Sequence, residues 1–147
     1  MRHETRGYAT WLWWMLVLFC FRVLAQLIQS SVDLKFLPKF EAWHSGAIPY
    51  WLLLVFQILI IAVCAWTAWR FTAGKVSAKR SRGLILLCFG MVYFGAMTAR
   101  LTLGLTLFPG HYWIDRPLPS FFHLVLASFV LITGHYHWKH SVPTGDD

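Results

Sequence analysis

Acidic residues are scarce in this chain. Only six of its 147 residues are Asp or Glu, and none falls within a long apolar run. A facing pair of carboxylates, which acid–base hydrolysis would use, is therefore absent from those runs. Charge of either sign is low: 13% of the residues are charged, about half the usual share in a soluble domain. The three cysteines, Cys20, Cys64 and Cys88, all lie in apolar runs and form no CxxC pair, which argues against a thiol oxidoreductase. There is no Gly-rich phosphate loop, HExxH or GxSxG elbow, so no motif assigns a reaction. No internal repeat or low-complexity tract divides residues 1–147, which read as a single domain.

What the chain has is apolar length. It is 58% hydrophobic and 18% aromatic, with nine tryptophans and twelve phenylalanines, more than a water-soluble core of this size would hide. Four apolar runs, residues 10–28, 49–69, 84–107 and 118–138, each match the roughly 20 residues that cross about 30 Å of hydrocarbon. Backbone polar groups in lipid must be satisfied within the segment, so each run is expected to be a helix. The predicted fold is all-α: an integral membrane bundle of four transmembrane helices. The first run is too long for a signal peptide and has no A-x-A-like site after it, so it is expected to stay. Pro49, Pro117 and Pro119 suit helix starts, with Ser120 as a cap, and Pro109-Gly110 closes the third run.

Basic residues predict the orientation. The connection RFTAGKVSAKRSRG carries Arg70, Lys75, Lys79, Arg80 and Arg82 with no acid, and such a loop is cytoplasmic by the positive-inside rule. Arg2 and Arg6 at one end and Lys139 near the other agree with it. The remaining loops balance Lys35, Lys39 and Arg116 against Asp33, Glu41 and Asp115. Both termini are thus expected in the cytoplasm, and the membrane is expected to be a bacterial inner membrane. The net charge of +7 fits topology and attraction to anionic inner-leaflet lipid. Nucleic acid is not an expected partner, because hydrophobic spans separate the basic residues.

Polar residues inside the runs carry the functional signal. At about 1.5 Å per residue, Arg22 lies roughly 9 Å below the outer end of the first span, with Gln26 nearer the surface. Gln57 lies about 12 Å, Arg100 about 10 Å and His123 about 7–8 Å below the outer ends of theirs. Each of the four helices thus sends a polar group to one outer-half layer, while the inner half offers only Thr and Cys among its buried positions. Arg22, Gln26 and Gln29 follow one stripe, and Gly90, Tyr93, Met97, Arg100 and Gly104 another. On the fourth helix Ser120, His123, Ala127 and Gly134 share a face. Such mixing of small and polar residues marks interhelical faces in lipid. Arg22, Gln26, Gln57, Arg100 and His123 are therefore the expected ligand-binding residues.

A structural account competes with this. The arginines are near enough to the surface to snorkel, the glutamines serve as interhelical hydrogen-bond partners, and His123 is then a satisfied bundle histidine. Against it stands charge: two guanidinium groups enter the bundle with no intramembrane acid, leaving only Asp33, Glu41 and Asp115 in the outer loops. Either a loop carboxylate covers them or an anion or carbonyl from outside does. A lipid phosphate, a carboxylate or a quinone fits a guanidinium fork. The first outer loop, with Phe36, Leu37, Phe40 and Trp43 among Lys35, Lys39 and Glu41, reads as an amphipathic surface piece. His111, Tyr112 and Trp113 in the second outer loop read as an aromatic belt. His123 and His137 have the spacing of a di-haem bundle, but no other helix carries the matching pair; a single haem on His123 with His44 or His111 is the minor alternative. His135, His137 and His140 in GHYHWKH read as a solvated interfacial tail rather than a metal site.

The segments FRVLAQ at 21–26 and SGAIP at 45–49, in a plan of four short spans, resemble DoxX-type small membrane proteins, a group that includes subunits of quinone-linked oxidoreductases. The resemblance covers under a tenth of the chain. It implies a role for Arg22 and a quinone as partner. Two functions remain open. One is an accessory or binding subunit of a larger redox or photosynthetic membrane complex, with membrane lipid and other integral subunits as partners. The other is a membrane enzyme or carrier acting on a lipid-like anion or quinone at the outer leaflet, with Arg22 and Arg100 as a clamp and His123 moving a proton.

Overall fold

The computed structural model describes residues 2–32, 49–106 and 117–141. They form four helices, α1 (Arg2–Ser31), α2 (Tyr50–Thr72), α3 (Arg80–Thr106) and α4 (Pro117–Lys139). Each contains an apolar stretch long enough to cross a membrane, the shortest being the 22 residues Leu118–Lys139, about 33 Å of helix. The expected all-α, four-helix architecture is therefore present. The outer-loop readings of residues 33–48 and 107–116, including Asp33, Lys35, Glu41, His44, Pro109-Gly110, His111 and Asp115, lie outside the described residues.

Cross-contacts show neighbouring helices running antiparallel. Trp13 Nε1 donates to Thr72 Oγ1 at 3.0 Å and Gln57 Nε2 to Gln26 Oε1 at 3.1 Å, pairing the start of α1 with the end of α2. Tyr8 packs on Tyr136 while Arg22 lies over Phe122, so α4 runs against α1 as well. Among the described residues α1 touches α2 and α4, and α3 packs on α4 alone. The lateral order is α2, α1, α4, α3. One end of the bundle gathers Arg6, Arg70, Lys75, Arg80, Arg82 and Lys139; it is called the basic end below.

The central position of α1 follows from its pattern. Thr5, Ala9, Leu12, Leu16, Phe19, Arg22, Gln26 and Gln29 are all buried, in steps of three or four that keep one face of the helix against its partners. Leu12 and Leu16 meet Cys64, Ala68 and Phe71 of α2 and Phe129 and Tyr136 of α4 in the main core. Elsewhere large apolar side chains face outward, with Val92 75% and Ile85 68% exposed on α3. In water such a surface would drive association; in lipid it is ordinary.

Helix α3 approaches α4 through Gly83 and Gly90, seven residues apart. Gly83, Gly90 and Gly104 are its buried residues, and small residues let two backbones close up in lipid. A Cβ at Gly83 would stand 2.5 Å from the backbone nitrogen of Trp138, so α4 would have to move. A Cβ at Gly95 meets nothing within 4 Å. Gly83→Ala is expected to lower the thermal midpoint in detergent by several degrees, whereas Gly95→Ala leaves it equal or higher, by about 0.5–1 kcal/mol of helix propensity. Equal midpoints for the two would show that the helices are not in this close contact.

The helix ends differ in detail from expectation. α1 begins at Arg2 rather than at 10, because Tyr8 is held by ring contacts with His135, Tyr136 and His140; apolarity marks where lipid begins, not where helix does. α3 likewise starts at Arg80, four residues before the apolar run. Pro49 precedes the first residue of α2, with its carbonyl accepting from Leu52 and Leu53 N–H. Ser120 does not cap α4: it lies inside the helix and is fully buried. α2 ends at Thr72, and two residues on Gly74 turns the chain with a φ of +64° that a side chain would strain. Its N–H donates back to the Phe71 carbonyl.

Candidate ligand pocket of the bundle

At the end opposite the basic one, a pocket of about 80 Å³ lies between α2 and α4 over α1. Arg22, Gln57 and His123 line it, among apolar walls that include Phe19, Leu53, Phe56, Ile60, Phe122 and Leu126. The interhelical stripes bring these polar groups together. Arg22 is only 6% exposed, with its guanidinium carbon 5.5 Å from the centre of the Phe122 ring. That distance suits a cation–π contact, which gains strength when desolvated. The side chain is inside the bundle, which disagrees with a snorkelling arginine. Tyr50, at the start of α2, acts on Arg22 electrostatically.

Gln57 and Gln26 join α2 to α1. Both are nearly inaccessible, at 3% and 0% exposed, and their single bond leaves Gln26 Nε2 and Gln57 Oε1 without a hydrogen-bond partner among the described residues. Turning both amides over exchanges the roles but not the count. The pair always holds one donor and one acceptor in reserve. Interhelical adhesion alone would not leave such groups open, because a buried unsatisfied amide atom is costly.

His123 brings a partner that its own helix does not supply. Its Nδ1 lies 2.5 Å from the Tyr93 hydroxyl, with the rings edge to face at 5.9 Å. Tyr93 was legible as part of the α3 stripe but not as a site residue, since only the α3–α4 register sets it opposite His123. Phe122 was likewise hidden among many aromatic residues. Arg100 is half-buried on the same α3 stripe, two turns beyond Tyr93, and with Arg22 it acts electrostatically on His123. It is not among the described residues lining the pocket. Of the five expected residues, three line the pocket, Gln26 supports one of them, and Arg100 stands beside His123.

The half of the bundle toward the basic end holds a buried histidine as well as the expected Thr and Cys. His137 is buried there beside the expected Thr5 and Thr133, and within GHYHWKH Gly134, Tyr136 and His137 are buried while His135, Trp138 and Lys139 stay exposed. Tyr8 on the extended α1 stacks with His135 and meets His140 edge-on. The helical extension that escaped sequence reading is what covers this segment. Among the described residues no group of three or more His, Cys, Asp or Glu is placed to hold a metal ion.

Compared with protein-family models, with curated proteins and with solved structures, the chain has no match.

Proposed function

We propose that this chain is a small integral membrane protein, set in a bacterial inner membrane with both termini in the cytoplasm, and that it works as a binding or accessory subunit holding a quinone head in the Arg22–Gln57–His123 pocket. The observation that carries the reading is the mixed character of that pocket. Arg22 donates only, whereas Gln57, which lines the pocket, keeps its Oε1 as an open acceptor beside the Gln26 bond. A carboxylate or a lipid phosphodiester offers acceptors alone in every state and would leave Gln57 Oε1 unmet. A quinone accepts through its carbonyls, and its reduced form donates through hydroxyls. The walls of Phe19, Leu53, Phe56 and Phe122 suit an apolar ring, and half-exposed Phe56 stands where a lipid-soluble tail would leave.

The orientation rests on the basic connection between α2 and α3, which carries no acid. The DoxX-type resemblance at 21–26 and 45–49 points to the same ligand class and adds Arg22. The exposed apolar faces of α2 and α3 suit membrane lipid and the helices of a larger redox complex. A second reading, an enzyme or carrier acting on the quinone or a lipid-like anion, is favoured by the Tyr93–His123 contact, since a hydroxyl hydrogen-bonded to an imidazole is a usable proton-transfer pair.

Protein purified from native membranes in mild detergent is expected to carry roughly one quinone per chain, as ligand sites of this kind are few per protein. Mass spectrometry of the extract checks this. Stoichiometric phospholipid without quinone would change the ligand class, an absorption band of haem would replace it, and an empty pocket after purification from native membranes would refute the binding role. Turnover of the extracted quinone by the isolated chain would select the second reading.

A further inference from the structure

A second pocket, of about 200 Å³, lies at the basic end between α2, the α2–α3 connection, α3 and α4. It is separate from the Arg22 site and does not depend on it. Its lining includes Arg70, Ser77, Arg82 and His137, against walls of Trp66 and Leu86, and contains no acid. The only acidic residue among those described anywhere is Glu4, at the start of α1.

The donors in this pocket are arranged, not merely numerous. Arg70 Nη2 donates to the Lys75 carbonyl at 3.0 Å, which holds the connection against the end of α2 and keeps this exposed guanidinium in the lining of the cavity. The Lys79 backbone N–H donates to His137 Nδ1 at 3.3 Å. That nitrogen is therefore an acceptor, so the ring hydrogen sits on Nε2. His137 is 8% exposed, and its Nε2 has no hydrogen-bond partner among the described residues. Arg82 and Arg70 both act on it electrostatically. Thr67 and Thr133 spend their hydroxyl hydrogens on the carbonyls of Val63 and Phe129, whereas Ser77 makes no such bond among the described residues. Arg82 lies in the first turn of α3, where unbonded backbone N–H groups and the helix dipole add positive potential.

We propose that this pocket binds a phosphate group, presented by an anionic phospholipid head or by a free phosphate. Two guanidinium forks, one imidazole N–H, one hydroxyl and a helix start surround the space with donors, which a tetrahedral anion with several acceptor oxygens can satisfy together. A planar carboxylate would reach fewer of them. Positive-inside topology explains why the connection is basic, but it requires neither a concave site nor a buried histidine with its N–H left over.

The test compares two variants of equal charge in the full chain: Arg82→Gln, which removes a lining guanidinium, and Arg80→Gln, which removes one outside the pocket. Inorganic phosphate is titrated by calorimetry, and retained phosphatidylglycerol is counted by native mass spectrometry after reconstitution in phosphatidylcholine nanodiscs with and without phosphatidylglycerol. Arg82→Gln is expected to weaken binding about tenfold, the scale of one charge-assisted hydrogen bond, and Arg80→Gln to leave it unchanged within about twofold. Ser77→Phe, which fills the mouth without altering charge, should reproduce the loss. Arg82-dependent binding of phosphate in detergent assigns the free anion; dependence seen only with phosphatidylglycerol assigns the lipid head. Equal loss in the two glutamine variants, or no binding of either probe by the wild-type chain, overturns the proposal.

Discussion

Arg22→Leu is expected to lose the co-purifying quinone almost entirely, with affinity falling about a hundredfold. Hydrogen bonds to charged groups are worth about 1.5–3 kcal/mol each, and a guanidinium at a carbonyl or its reduced form makes one or two of them. A loss near 3 kcal/mol is about a hundredfold in affinity. The fold is expected to survive, because leucine brings apolar surface to a site that is already walled by apolar side chains. Arg22 is 6% exposed and lies over Phe122, so leucine meets an aromatic wall already present. Arg22→Lys separates charge from geometry: it keeps the cation but not the fork, and should fall between, at about tenfold. Quantifying quinone per chain by mass spectrometry, beside a thermal melt, checks both. Full retention of quinone in Arg22→Leu would remove the arginine from the site.

That expectation rests on a residue legible from the sequence alone, and the reason is energetic. An arginine within an apolar run is costly in lipid, so its presence already marked a constraint, and helical period placed it on the stripe with Gln26 and Gln29. The same arithmetic set Gln57 and His123 at one depth, and the pocket unites Arg22, Gln57 and His123. Arg100 obeyed the depth rule as well, yet α3 reaches the bundle only through α4. Depth along a helix is a sequence property; which helices touch is a packing property, set here by Gly83, Gly90 and Gly134. Tyr93 escaped notice for that reason, being ordinary until the glycine contact sets it against His123. The basic-end pocket was missed through a different error. The pocket's lining converges from α2, the α2–α3 connection, α3 and α4, and His137 reads as one of several interfacial histidines until the fold brings the Lys79 N–H onto its Nδ1.

The glutamine pair supplies the other large effect, because it sets stability against binding. Removing either amide strands its buried partner: Gln57→Leu leaves Gln26, fully buried, with no interhelical bond. An orphaned buried polar group costs about 1–3 kcal/mol, while interhelical hydrogen bonds in membranes average only about 0.6 kcal/mol. The first figure exceeds the second, so the penalty lies in the orphan rather than in the lost bond. It follows that Gln26→Leu/Gln57→Leu, with two apolar side chains meeting in the same space, should be more stable than either single variant. The coupling expected from a double-mutant cycle is about 1–3 kcal/mol, measured by unfolding of quinone-free protein in detergent. Binding should not follow stability. The double variant has neither the donor nor the acceptor that the pair holds in reserve, and it should bind quinone no better than Gln57→Leu, whereas Leu53→Ala on the same wall should bind closer to wild type. A glutamine pair kept for packing alone would behave in the opposite way: the double variant would be the least stable of the three, and the quinone would stay bound in proportion to the folded fraction. A chain more stable without its amides, yet empty, would mean that these two residues are retained for the ligand and not for the fold.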